Sequence, residues 1–382
     1  MKPMRLIVLA VALSLLVPLA RADWQPAKRI TWTAGDSSVP RAVLDSSGNL
    51  HVVWEDETPG NYNIYYGKST DGGDSWTSAK RLTWTAHSSS HPAIAVDSLD
   101  TLYVVYDDTS SGNYEIFCRR STNGGAAWST PKRLTWTAAP SWDAAIAVDS
   151  SDDLHVFWAD SNPGNHELYY KKSADGGASW SANERLTWTA DDSYGPSIAL
   201  DSSAGLHIAW YDYTPGPADI YYKKSTDGGT SWSATQRLTW TAGNSFYPGL
   251  IAAAAGHLYF AWEEDTPGNS EIYLKSSADG GDTWSANKRL TWTDGDSWFP
   301  SLSVGPSGDL HLIWSDETPG YPELYYKGSA DGGDTWSANT RLTWNSGTSE
   351  TPAVSVDPSG NIHLVWSDNT PGNSEIYYRK GN

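Results

Sequence analysis
Apolar and polar positions alternate along this chain in short runs of strand length, and the same runs return on a fixed period. The tetrapeptide RLTW, once as RITW, begins at Arg29, Arg81, Arg133, Arg185, Arg237, Arg289 and Arg341, each 52 residues after the last. Each copy divides into four short strands. Ala93-Ile94-Ala95-Val96 alternates small with branched apolar residues, and small side chains on one face let neighbouring strands crowd together. A tight turn of the type Asp45-Ser46-Ser47-Gly48-Asn49 leads to residues 50–54, apolar on both faces, as a strand sandwiched between two layers must be. A TPGN-type loop at 58–61 leads to a third strand around Ile64-Tyr65-Tyr66. Residues 81–85 alternate polar with apolar and predict a fourth strand at an outer, wet edge.

A period near 50 residues that holds only strand signals points to propeller blades rather than to a helical solenoid. The chain therefore reads as an all-β, seven-bladed β-propeller of four-stranded antiparallel blades. The near identity of the copies marks recent duplication, so the positions at which they differ are informative. The phase of the repeat at its two ends predicts how the ring closes. Residues 23–29, Asp-Trp-Gln-Pro-Ala-Lys-Arg, are the end of a turn followed by a fourth strand, while the chain finishes on a third strand at Tyr377-Tyr378-Arg379-Lys380. The N-terminal strand is expected to pair with the C-terminal three, completing the seventh blade and removing an open sheet edge.

The turn between strands three and four reads Ser69-Thr70-Asp71-Gly72-Gly73-Asp74-Ser75-Trp76, with copies beginning at Ser121, Ser173, Ser225, Ser277 and Ser329. It resembles the Asp box, S-x-D-x-G-x-x-W, of the BNR-repeat, sialidase-like propellers. Asp71, Asp175, Asp227, Asp279 and Asp331 hold the box position, and one copy carries Asn123 instead. The carboxylate accepts backbone N–H groups, the glycines take positive φ, and the Trp packs on the blade, so these residues are read as structural rather than catalytic.

The first 22 residues read as a secretory leader, with Lys2 and Arg5 before an apolar run at 6–20 and Ala20-Arg21-Ala22 as a cleavage site. That run is shorter than the roughly 20 residues of a membrane span. The expectation is a Sec-exported protein, periplasmic, cell-surface or extracellular, with residues 23–382 as one propeller and no membrane span. Loss of Lys2, Arg5 and Arg21 moves the formal net charge from −19 to −22. A body this acidic repels phosphate backbones, which argues against nucleic acid. Cys118 is the one cysteine, so no internal disulfide can form. The 22 Trp and 21 Tyr against 5 Phe suit β-surfaces that are half buried and half wet.

In a four-stranded meander the 4→1 and 2→3 loops share one face, and the 1→2 turns and Asp boxes share the other. Sialidase-like propellers meet ligand on the first face, near the axis. Ser37, Ser89, Ser141, Ser193, Ser245, Ser297 and Ser349 form a constant column there. The next column varies: Ser38, Ser90, Trp142, Tyr194, Phe246, Trp298 and Glu350. His91, Tyr247 and Phe299 follow in their copies. Acids close strand two at Asp56, Asp108, Asp160, Asp212, Glu264, Asp316 and Asp368. Rings stack on the C–H faces of sugars and acids accept hydroxyl hydrogen bonds, so Trp142, Tyr194, Phe246, Tyr247, Trp298, Phe299 and His91 are the candidate ligand-binding residues. The competing reading has the rings filling space between loops and the acids capping the 2→3 turn.

His51, His155, His207, His257, His311 and His363 are expected at the start of second strands, on different blades, as turn-side structural residues rather than a metal site. Calcium is the one cofactor that so many carboxylates admit, but no EF-hand-like spacing supports it, and no metal or cofactor is expected. Sialidases clamp a carboxylate with three arginines and use a Tyr–Glu nucleophile pair with an acid/base Asp. Outside the outer-strand column only Arg41, Arg119, Arg120 and Arg379 remain, and Arg41 follows Pro40 rather than preceding it as that family's motif requires. The resemblance thus covers fold and turn motif without the catalytic set. The reading is a non-enzymatic binding propeller for glycans or for an exported or surface protein, with a divergent exo-sialidase-like glycoside hydrolase as the alternative.

Overall fold
The computed structural model describes residues 22–162, 164–214, 216–266, 268–318 and 320–382. The expected leader, residues 1–22, lies outside these except for Ala22. Seven four-stranded antiparallel sheets follow one another. Blade 1 consists of Ser37–Leu44, Leu50–Asp56, Asn63–Ser69 and Lys80–Arg81, and blades 2 to 6 repeat it at the 52-residue period. Each first strand touches the first strands of both neighbouring blades, so seven of them ring a central axis. No helix among the described residues is long and apolar enough to cross a membrane.

Blade 7 closes across the termini. Lys28–Arg29 pairs antiparallel with Glu375–Gly381, with Lys28 opposite Tyr378 and Arg29 opposite Tyr377. Gln25 N–H donates to the Lys380 carbonyl at 2.8 Å and Ile30 N–H to the Ile376 carbonyl at 2.7 Å. The Arg29 guanidinium lies 2.5 Å from the Glu375 carboxylate.

The core is not a single centre. Every residue of the second strand of blade 1 is buried, and the apolar clusters each join two consecutive blades around the ring. Trp54, Trp158, Trp210, Trp262, Trp314 and Trp366 sit fully buried near the ends of second strands. Burying an aromatic side chain contributes about 2–3 kcal/mol, so each interface is held mainly by these rings and the branched residues around them.

The fourth strand is shorter than its alternation predicts. Its paired ladder covers two residues, Lys80–Arg81 in blade 1. Leu82 N–H still donates to the Ile64 carbonyl at 2.7 Å, but Ile64 N–H donates to the Thr83 hydroxyl at 2.9 Å instead of to a backbone carbonyl. The threonine side chain ends the ladder, which turns Trp84 outward.

The 1→2 turns and the Asp boxes share a face. In blade 1 His51 Nε2 lies 3.0 Å from Asp45 of the 1→2 turn and Nδ1 lies 2.7 Å from the Tyr66 hydroxyl. Burial pushes the His51 pKa down despite the Asp45 hydrogen bond, so the neutral ring is held between the turn carboxylate and the tyrosine hydroxyl. His155, His207, His311 and His363 do the same. His257 does not belong to this set. It precedes the strand Leu258–Glu264, and Tyr259 fills the register position, as Tyr103 does in blade 2. The tripeptide Gly-His-Leu imitates the motif two residues early.

In the Asp box of blade 1, Ser69 Oγ donates to Asp71 Oδ1 at 2.8 Å, and Ser75 donates from N–H at 2.8 Å and from Oγ at 2.5 Å. These donors hold the carboxyl of Asp71 down at about 2. Asn123 keeps the Oδ1 contacts, to Ser121 and to the N–H of Ala127, and Ala127 lacks the hydroxyl that would need a second oxygen. The box Trp packs on its own blade and also reaches the preceding one: Trp76 joins the cluster of Leu50, Val52 and Trp54 and meets the Tyr378 ring edge-on at 5.3 Å, while the Tyr378 hydroxyl donates to the Gly72 carbonyl at 2.9 Å. Gly73 has φ 91° and lies against that tyrosine, so a Cβ there would collide with the ring.

Two outcomes follow. Deleting residues 24–33 should expose the edge of blade 7 and lower both solubility and melting temperature, as thermal denaturation would record; an unchanged melt would mean that the termini do not close the ring. Asp227 is exposed, yet its carboxyl is held at about 2 by Ser231 above all. Asp227→Ala should therefore lower the melting temperature at pH 7. The difference from the parent protein should vanish as pH falls from the ordinary carboxylate range through about 2, because a depressed pKa stabilises only while the group is ionised.

Candidate functional site
Each first strand carries a bulge near its start. In blade 1 pairing is regular at Ser37↔Asp56 and Ser38↔Glu55 and resumes at Arg41↔Val53. The residue within the bulge is left-handed in all seven blades: Val39, His91, Asp143, Gly195, Tyr247, Phe299 and Thr351, with φ between 48° and 61°. Such a conformation costs a non-glycine residue on the order of 1 kcal/mol or more, most for β-branched Val39 and Thr351. In blade 4 the Tyr211 ring occupies the space a Cβ of Gly195 would need. Because the bulges lie at the 4→1 and 2→3 loop end of the innermost strands, these seven residues circle one mouth of the axis. The backbone conformation is common to the blades, whereas the residues it presents are all different.

Blades 1 to 3 supply a charged arc. His91 N–H donates to Glu55 at 3.0 Å, and His91 Nδ1 lies 3.1 Å from Asp107. Burial works against charge on this ring, but the Asp107 hydrogen bond and the charges of Asp107, Glu55 and Asp143 outweigh it and raise the His91 pKa to about 9. Asp107 is buried, which pushes its carboxyl up to about 6 against the pull of His91. Both are charged at neutral pH. Asp143 N–H reaches Asp107 at 3.4 Å. Arg41 projects from blade 1 with Asp143 and Glu55 as its charged neighbours; it is enclosed by the ring of blades and still reached by water.

Blades 3 to 6 supply an aromatic arc. Trp142 stacks on His166 at 5.2 Å and packs into the cluster of Phe157, Leu168 and Trp210. The Tyr194 hydroxyl lies 2.6 Å from His166 Nδ1 and donates to Asp192 at 3.2 Å. Phe246 packs edge-on against Tyr211 at 5.3 Å. Tyr247, 46 % exposed, meets the Phe299 ring at 5.1 Å. Trp298 is half-buried beside Phe299 in sequence. Of the seven candidates, His91, Tyr247 and Phe299 thus sit in the strained ring itself. Trp142, Tyr194, Phe246 and Trp298 stand one position earlier, and the first three of these are engaged with neighbouring rings. The acids that end strand two are buried in turns: Asp56 accepts from Ser37 Oγ at 2.7 Å and from Thr58 N–H at 2.8 Å, and the other six accept from their serines alike.

The residue before each of those acids was overlooked. Glu55, Asp107, Ala159, Tyr211, Glu263, Ser315 and Ser367 form a column that varies between constant neighbours, which was the available signal. Glu263 accepts Phe299 N–H at 3.4 Å, and burial raises its carboxyl to about 7, with Asp296 and Asp265 adding to the rise and the Phe299 N–H opposing it. Among the described residues no three His, Cys, Asp or Glu side chains converge as a metal site requires.

These contacts separate the two kinds of ring. Trp142→Ala should cost about 2 kcal/mol or more in chemical denaturation, as truncation of packed aromatics does, whereas Tyr247→Ala should leave stability within about 1 kcal/mol. Equal losses would place both rings in the core.

A family model described as BNR repeat-containing family member matches residues 19–192 and 185–343. No curated protein matches the chain in sequence. Among solved structures, an ulvan lyase of a polysaccharide lyase family is similar with TM-score 0.66 at 11 % identity, over 92 % of this chain and 95 % of that one. An α-L-arabinofuranosidase from Fusarium graminearum aligns with TM-score 0.57 at 14 % identity, over 91 % and 93 %. A Hadza microbial sialidase aligns with TM-score 0.54 at 18 % identity, over 90 % of this chain and 65 % of its own length. At these identities the likeness is one of fold.

Proposed function
This chain belongs to the BNR repeat-containing family, and on that premise we propose that it is an exported glycan-binding propeller whose ligand sits at the mouth ringed by the strained bulges. The observation that carries the reading is the contrast within one column. Seven blades hold the same left-handed conformation, costly in six of them, and each presents a different residue to one opening. Tyr247 and Phe299 offer faces for stacking on sugar C–H groups. Opposite them Arg41, His91 and Asp143 offer donors and acceptors for hydroxyls, with Glu55 and Asp107 buried behind His91. The sugar-acting proteins that share the fold support a carbohydrate ligand over a protein surface. The leader-like residues 1–22 support export.

A glycan-array screen of the mature protein should give hits that Tyr247→Ala and Phe299→Ala each weaken by roughly 1–3 kcal/mol, the range for aromatic anchors, with melting temperature nearly unchanged. Undiminished binding in both variants would remove the ligand from this mouth.

A second reading, cleavage of the bound glycan, is favoured by Glu263. A buried carboxyl held near 7 is what a general acid at neutral pH requires, and Tyr247 stands beside it. Fluorogenic sialosides and arabinofuranosides test it directly: turnover lost in Glu263→Gln would establish an enzyme, and no turnover by the parent protein would leave a binder.

A further inference from the structure
The outer rim repeats a second feature in every blade. Trp32, Trp84, Trp136, Trp188, Trp240, Trp292 and Trp344 are each about two-thirds exposed, with the arginine of the same RLTW segment paired to a carboxylate on the adjacent third strand. The arginine of blade 1 is the exception. Arg81 Nη2 donates to Asn63 at 2.9 Å, because Asn63 stands where the other six blades carry Glu or Asp. No carboxylate forms an ion pair with Arg81 among the described residues.

The neighbouring blade departs at the facing position. Blades 3 to 6 place Lys171, Lys223, Lys275 and Lys327 there, each donating to the carbonyl of the leucine in the preceding RLTW segment. Blade 2 places Arg119, which is only 8 % exposed. Its Nε donates to the Ser129 carbonyl at 2.7 Å, and among the described residues nothing accepts from Nη1 or Nη2. Its guanidinium lies 5.9 Å from the Trp84 ring centre. Between the two blades opens a groove of 280 Å³ lined by Lys80, Arg81, Leu82, Trp84, Arg119 and Trp128. Three cations and no acid line it, in a chain of net charge −19.

We propose that this rim groove is a second ligand site, separate from the channel mouth, and that it takes a sugar ring bearing a carboxylate or a sulfate. The ring stacks on Trp84, and the anion takes the free guanidinium N–H groups of Arg119 and the unneutralised Arg81. An isolated indole face suits a single pyranose better than an extended protein surface, and a guanidinium fork matches a planar carboxylate or a sulfate edge.

Calorimetric titration of the mature protein with methyl β-D-glucuronide and glucose 6-sulfate, against methyl β-D-glucoside and inorganic sulfate, tests this. One equivalent of an acidic sugar should bind at least tenfold more tightly than the neutral glucoside or sulfate alone. Asn63→Glu restores the carboxylate used by six other blades, so it should fold normally and raise the Kd at least tenfold; Trp84→Ala should do the same. Tyr247→Ala, at the channel mouth, should leave this Kd alone. Binding by the glucoside as tight as by the acidic sugars, an unchanged Kd in Asn63→Glu, or loss in Tyr247→Ala would each overturn the assignment. Inorganic sulfate binding as tightly as the sugars would reduce the groove to a bare anion pocket and overturn its sugar specificity.

Discussion
A second strand that is apolar on both faces cannot be satisfied within its own blade, and everything else in this molecule depends on that. Leu50, Val52 and Trp54 pack toward blade 7, while Val53 packs toward blade 2. Each sheet is therefore stable only between two neighbours, and a chain of such sheets must close or leave two apolar faces in water. Closure falls to a two-residue ladder at Lys28–Arg29, reinforced by the ion pair with Glu375 and by the backbone bonds of Gln25 and Ile30. The Asp boxes serve the same end. In five blades the box Trp meets a tyrosine of the preceding blade, so what reads locally as a turn motif acts there as an interblade clasp.

Near-perfect repetition makes the exceptions legible. Where the copies agree, as in the serine and acid columns of all seven blades or the His–Asp–Tyr contacts of five 1→2 turns, the side chains answer to each other and are buried. Where they disagree in a constant backbone, chemistry is concentrated. The bulge column and the residue before each strand-two acid bring Arg41, Glu55, His91, Asp107 and Asp143 together on one arc and Tyr211, Tyr247, Phe299 and Glu263 on the other. At the rim the one acid-to-Asn difference falls beside one of two Lys-to-Arg differences, and Asn63 and Arg119 lie on adjacent blades flanking a single groove. A sevenfold scaffold thus carries sites that are not sevenfold.

The sequence alone determined the blade count, the four-stranded meander, the closure and the hydrogen-bonded turn of the Asp boxes. Each of these rests on local pattern and period, and in antiparallel meanders sequential strands pair with their neighbours. It also placed the variable residues after the constant serines at one end of the first strands, which the paired register bears out. Only the tertiary structure decided which of those residues are available. Trp142 and Tyr194 look like Tyr247 in a list of aromatics, but His166, on a loop of the third blade, engages both. The left-handed bulge that turns His91, Asp143, Tyr247 and Phe299 toward the opening leaves no clear mark in the sequence: proline follows it in six blades but Ala144 in the third, and proline disfavours helix without specifying this conformation. Arg41 stands alone in the sequence, and the negative field it meets from Asp143 and Glu55 exists because seven inner strands converge on one axis, bringing residues a hundred positions apart into one neighbourhood.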